Sequence, residues 1–75
     1  MKVIKAWGFN GDLWEELVTI YPDGTMSGKP GTIQGIKIDA ELNGLDLTKE
    51  EDQRKLIDVY RFNSEFRLDV GEIPD

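Results

Sequence analysis

The chain has 75 residues, 15 of them Asp or Glu against 9 Lys or Arg, and it has neither histidine nor cysteine. A chain this short buries only ~60% of the surface its unfolded form exposes, so a single domain over residues 1–75 is expected. The absent residues exclude a histidine general base, a thiolate nucleophile, disulfides, and zinc or haem sites of the usual His/Cys kind.

Residues 2–7 (KVIKAW) are rich in β-branched and aromatic side chains and predict a first strand. Gly8-Phe9-Asn10-Gly11-Asp12 is turn chemistry, and residues 13–21 (LWEELVTIY) predict a second strand. The competing helix over 12–20 is weakened by Val18-Thr19-Ile20 and by the proline that follows. Pro22-Asp23-Gly24 then makes a turn into a short strand at Thr25–Ser27.

Gly28-Lys29-Pro30-Gly31 reads as a loop. Residues 32–42 (TIQGIKIDAEL) carry the clearest alternation in the chain, with Ile36, Ile38, Ala40 and Leu42 opposite Lys37, Asp39 and Glu41. That pattern predicts a fourth strand, ended by Asn43-Gly44. Thr48-Lys49-Glu50-Glu51 has the form of a capping box and opens a predicted helix over 48–62, with Leu56, Ile57, Val59 and Tyr60 as its apolar stripe. Residues 65–70 alternate again, with Phe66, Leu68 and Val70 opposite Glu65, Arg67 and Asp69.

The element order β-β-β-β-α-β predicts an α+β fold. Its sheet is small, mostly antiparallel and four- to five-stranded, with one helix (48–62) packed on one face. No stretch approaches the ~18 apolar residues of a membrane span, and the start MKVIKAWGFNGDLWEE has no signal-peptide core. Asn10, Asn43 and Asn63 all lack the hydroxyl of a glycosylation acceptor two positions on. A cytoplasmic protein is expected.

Carboxylates, lysines and hydroxyls can support glycosidase-type chemistry, but only in a cleft that strips water from the reacting groups. Nothing in the chain assembles a nucleophile, a base and an orienting group. A non-enzymatic protein is therefore expected, with no catalytic residue and no cofactor assigned.

The charge is unevenly placed. Residues 1–38 carry 4 acids and 4 lysines, whereas residues 39–75 carry 11 acids and 5 bases. The bias disfavours direct contact with nucleic acid or an anionic membrane and favours a basic protein surface as partner. Part of it is structural: Glu50, Glu51 and Asp52 suit a helix N-terminus, while Glu50–Arg54, Glu51–Lys55 and Asp58–Arg61 have helical ion-pair spacing. Asp39, Glu41, Glu65 and Asp69 share the outward sides of two predicted strands. If those strands are neighbours, they form an acidic face. Alternate strand residues are ~6.6–6.8 Å apart, about two base steps, so a nucleic-acid mimic is geometrically conceivable.

The leading expectation is a small acidic protein-binding module, of the phage or mobile-element inhibitor kind, docking on a basic surface such as that of a nucleic-acid-handling enzyme. A second reading uses the aromatic N-terminal hairpin, with Trp7, Phe9 and Trp14, for partner contact or homodimer formation. A third is calcium or carbohydrate binding. Residues 39–50 (DAELNGLDLTKE) approach the calcium-loop pattern, but a predicted strand leads into them where a helix is needed, and Asp46 stands where an aliphatic residue is usual. No metal ligand is assigned. Gly28-Lys29-Pro30 is not a phosphate loop: its proline has no N–H, and no hydroxyl follows the lysine.

Overall fold

The computed structural model describes residues 1–74. Four strands, β1 (Lys2–Phe9), β2 (Trp14–Ile20), β3 (Met26–Gly28) and β4 (Phe66–Glu72), form one sheet in the order β3-β2-β1-β4. All pairings are antiparallel. Two helices, α1 (Pro30–Leu42) and α2 (Glu50–Val59), lie between β3 and β4 in the chain and pack on the same side of the sheet. The fold class is the expected α+β, with a four-stranded antiparallel sheet.

The order is β-β-β-α-α-β, however, because the predicted fourth strand is α1. Both of its ends carry helix signals. Pro30 occupies the first helical turn, where its missing N–H costs nothing. At the other end Asn43 is the C-cap and Gly44 takes the left-handed conformation, with φ of 66°. Leu45 N–H reaches the Ala40 carbonyl at 2.8 Å and Gly44 N–H reaches Glu41 at 3.1 Å, the paired bonds of a Schellman stop. Along α1, Ile36 and Ala40 are buried and Ile33 is partly so, whereas Ile38 is 47% and Leu42 79% exposed. A period of 3.6 joins Ile33, Ile36 and Ala40, and Ile38 and Leu42 fall outside it.

The second helix is shorter than predicted, ending at Val59. Its inward stripe is Gln53, Leu56 and Tyr60, and Val59 is exposed. The capping box does not form. Thr48 instead donates its hydroxyl to Asp46 at 2.6 Å, and the Asp52 carboxylate accepts from Asp46 N–H at 2.8 Å. The Glu50–Arg54 pair is present at 3.0 Å, but Lys55 pairs with Asp52 at 3.6 Å and not with Glu51.

The core is one cluster. Ile4, Ala6, Val18, Ile20 and Leu68 come from the sheet, Ile36 and Ala40 from α1, and Leu56 and Tyr60 from α2. Gln53 is the buried polar residue beside it, 4% exposed. Its amide donates to the Tyr21 carbonyl at 3.0 Å and to the Leu47 carbonyl at 2.8 Å. It thereby clamps two turns of matching sequence, Asp23-Gly24-Thr25 and Asp46-Leu47-Thr48. In each, the aspartate accepts from the threonine backbone and hydroxyl. The turns approach so closely that a Cβ on Gly24 would stand 2.9 Å from the Leu47 carbonyl oxygen.

One irregularity positions the candidate site. Ala6 pairs with Val18 but Trp7 pairs with Glu16, so Leu17 is an extra residue in β2, a β-bulge. Without it, Trp14, Glu16, Val18 and Ile20 would share one face by simple alternation. With it, Val18 and Ile20 enter the core while Trp14 and Glu16 join the partners of Phe9 and Trp7 on the opposite face.

Candidate functional site

The helices cover one face of the sheet. The other is built from alternate residues: Lys5, Trp7 and Phe9 of β1, Trp14, Glu16 and Thr19 of β2, and Arg67 and Asp69 of β4. Aromatic side chains gather at its hairpin end. Phe9 and Trp14 are cross-strand partners with ring centroids 5.3 Å apart and planes tilted by 50°. The Arg67 guanidinium lies 4.5 Å from the Trp14 ring centroid, a cation–π contact that fixes the indole from the neighbouring side. Phe9 is 38% exposed, and Leu13 in the adjoining turn is 63% exposed.

The turn that carries these groups is held by Asn10. Its side-chain oxygen accepts from Asp12 N–H and Leu13 N–H, both at 3.0 Å, and its amide donates to Glu15 at 3.0 Å. This is the Asx geometry that makes asparagine a turn residue. On the β4 side, the Asn63 oxygen accepts from Glu65 N–H at 2.9 Å, and Phe9 N–H then donates to the Glu65 carbonyl at 2.8 Å. Glu65 is thereby set beside Phe9.

Charges in the middle of this face cancel in pairs. Lys5 meets Glu16 at 3.6 Å, and Arg67 meets Asp69 at 3.2 Å. Those at the hairpin tip do not. Asp12, Glu15 and Glu65 are exposed, and among the described residues none of them forms an ion pair with a base. The tip is an aromatic cluster bordered by carboxylates.

The four carboxylates expected to form one acidic face are not together. Asp39 and Glu41 belong to α1, where residues two apart point in widely different directions. Asp39 is half-buried and accepts a hydrogen bond from the Tyr60 hydroxyl. Burial and the Asp39 charge both raise the Tyr60 pKa, so the phenol is held protonated as a donor. Asp69 is committed to Arg67, which leaves Glu65 alone as part of the unpaired tip. Trp7, Phe9 and Trp14, by contrast, do share one face.

The segment leading into residues 39–50 is a helix, unlike the expected strand, but Asp39 turns to Tyr60 and Asp46 to Thr48. Among the described residues no group of three or more acidic side chains is placed to hold a metal ion. Hydrogen bonds from Thr25 and Thr48 hold the Asp23 and Asp46 carboxyls below their ordinary range. These are turn-forming roles.

Three contributors escaped the sequence reading. Arg67, one of the outward charges of the predicted last strand, braces Trp14. Gln53 sits three residues before Leu56 on a helical stripe, which was the available signal for its burial. Leu17 left no signal, because a bulge is visible only once the partner strand is in register. No helix is long and apolar enough to cross a membrane among the described residues. Compared with known proteins, the chain matches no family model, no curated protein and no solved structure.

Proposed function

We propose that the chain is a non-enzymatic cytoplasmic protein-binding module that docks through its hairpin tip. Phe9, Leu13 and Trp14 would enter an apolar recess, and Asp12, Glu15 and Glu65 would meet lysine and arginine on the rim of that recess. The partner class is a basic protein surface, of which a nucleic-acid-handling enzyme is one bearer. The observation that carries the proposal is the pairing of exposed Phe9 with half-buried Trp14, braced by Arg67 and bordered by carboxylates that form no ion pair among the described residues.

The physical case is one of preorganisation. Aromatic anchors contribute most to binding when little side-chain freedom is lost on docking. Trp14 is already fixed between Phe9 and Arg67, and the turn beneath it is held by Asn10. The carboxylates would add on-rate and choice of partner more than affinity. An inhibitor that imitates nucleic acid along a row of carboxylates gains no support, since Asp39 and Glu41 lie on a helix.

The test is affinity capture from native cells with the intact chain, Phe9→Ala and the double variant Asp12→Lys/Glu65→Lys. A partner retained by the intact chain should be lost with Phe9→Ala. Its affinity should fall between about 50 mM and about 500 mM salt, because exposed charges are screened within ~10 Å at 0.1 M. Equal capture by all three chains would refute the proposal.

A further inference from the structure

Among the described residues β4 has a neighbouring strand on one side only. It is the last strand of the sheet, seven residues long, and it runs against β1 in unbroken register from Lys2↔Glu72 to Gly8↔Phe66. The flanking hydrogen bonds show which backbone groups are committed. Phe9 N–H donates to Glu65 at 2.8 Å and Ile73 N–H donates to Met1 at 3.0 Å, so the odd-numbered residues of this segment turn their N–H and C=O toward β1. The even-numbered ones, Phe66, Leu68, Val70 and Glu72, turn theirs outward. Phe66 N–H is taken by the Asn63 side chain at 3.0 Å, whereas the outward groups of Leu68 and Val70 meet no protein partner among the described residues.

An uncovered strand edge is a template for another strand, and proteins commonly blunt such edges with charge. Here the charges are arranged the other way. Read antiparallel about Leu68, the sequence Phe66-Arg67-Leu68-Asp69-Val70 is its own complement: Phe66 faces Val70, Arg67 faces Asp69, and Leu68 faces Leu68. Arg67 and Asp69 are each about half exposed, on the open face, and Val70 is 52% exposed on the other.

We propose that β4 pairs with β4 of a second copy of this chain, antiparallel and centred on Leu68, joining two sheets into one continuous sheet across a two-fold axis. The two Leu68 residues exchange both backbone hydrogen bonds, and each Val70 N–H reaches the partner's Phe66 carbonyl. Neighbouring registers are disfavoured by charge. Centring on Asp69 sets that carboxylate against its own copy. Centring on Arg67 does the same to the guanidinium and places Glu65 opposite Asp69. Like charges directly opposite are destabilising, so the register selects itself. One strand pair covers less than the ~1,000 Å² of a stable interface, which makes this a weak and reversible dimer. The pairing does not depend on the hairpin-tip proposal.

Sedimentation velocity on the full chain from about 10 µM to about 1 mM tests it, a range that brackets weak, small-area association. The intact chain should shift toward dimer with concentration. Arg67→Asp should raise the dimer Kd about tenfold or more, since symmetry places two like-charged pairs at the seam. Combining Arg67→Asp with Asp69→Arg exchanges the pairs without removing them and should restore the Kd to within about threefold. Val70→Pro removes an outward N–H that β1 does not use, so it should abolish dimer while leaving the circular dichroism spectrum intact. A chain monomeric up to about 1 mM, an Arg67→Asp variant that dimerises as well as the intact chain, or a double variant as weak as the single one would overturn the pairing. Phe9→Ala should leave dimerisation unchanged, so the two proposals fail separately.

Discussion

The two faces of the sheet use their residues in opposite ways. The covered face spends its side chains on mutual burial: Val18, Ile20, Leu56 and Leu68 are all at most 2% exposed. The open face buries Val3 but leaves its aromatic side chains only partly covered, held by directed contacts, namely a tilted aromatic pair, a cation–π contact and two ion pairs. Packing specifies the first face and geometry the second. It follows that covered-face substitutions should be read in stability, and open-face substitutions in binding.

The largest effect is expected from Ile20→Ala. It removes a fully buried branched side chain from the core cluster, and such truncations cost about 2–5 kcal/mol. In a domain this small that approaches the whole stability, so urea denaturation should show a broad or absent transition. Next is Gln53→Ala, which leaves the Leu47 carbonyl without its buried donor, and the Tyr21 carbonyl with Gly24 N–H alone, at a cost of about 1–3 kcal/mol. The same denaturation experiment should show the midpoint falling, with the 21–25 and 46–48 turns losing amide protection first.

Tyr60→Phe sits between the two faces in kind, since it keeps the ring and removes only the hydroxyl bond to Asp39. About 1 kcal/mol is expected at neutral pH. The sign above neutrality is informative. The Tyr60 pKa is raised in the folded state, so its contribution is complete below the ordinary tyrosine value of about 10 and is lost as pH rises toward the raised one. Tyr60→Phe should therefore lose less stability than the intact chain in alkaline titration.

The Asp23 and Asp46 carboxyls work in the opposite direction. Their folded pKa values are lowered, so their contribution is present above the ordinary carboxylate range and disappears as pH falls through the lowered values. Acid titration of Asp23→Asn/Asp46→Asn should be flatter than that of the intact chain. The smallest stability change belongs to Phe9→Ala, about 0.5–1 kcal/mol for the loss of its cross-strand ring contact with Trp14. A destabilisation comparable to that of Ile20→Ala would erase the distinction between the faces.

Much of the fold was legible. Every observed strand was anticipated within a few residues, because β-branched runs bounded by Pro22-Asp23-Gly24 or by Asn10-Gly11 have few alternatives. The failure at 32–42 is instructive. Ile36 and Ala40 are four apart, a spacing that both the strand and the helix period satisfy, so alternation alone could not decide between them. The deciding marks lie at the ends, in Pro30 and Gly44, which suit a loop and a strand stop as well as a helix start and a helix stop.

The site was legible in part. Trp7, Phe9 and Trp14 were recognised as a group, and they share a face. Asp39 and Glu41 were grouped with Glu65 and Asp69 only through the misread strand, and their association ended with it. Arg67 acquired its role through a cross-strand neighbourhood that lies 53 positions away in the chain for Trp14. A contact of that range depends on register, which local patterns do not encode.

The extra residue at Leu17 makes the hairpin sensitive to its length. It offsets the phase of the hairpin's outer half from that of its inner half, so Trp14 and Glu16 lie on the open face although Val18 and Ile20 lie in the core. Deleting Leu17 would turn the distal strand over, driving an indole and a carboxylate into the interior while every other residue kept its identity.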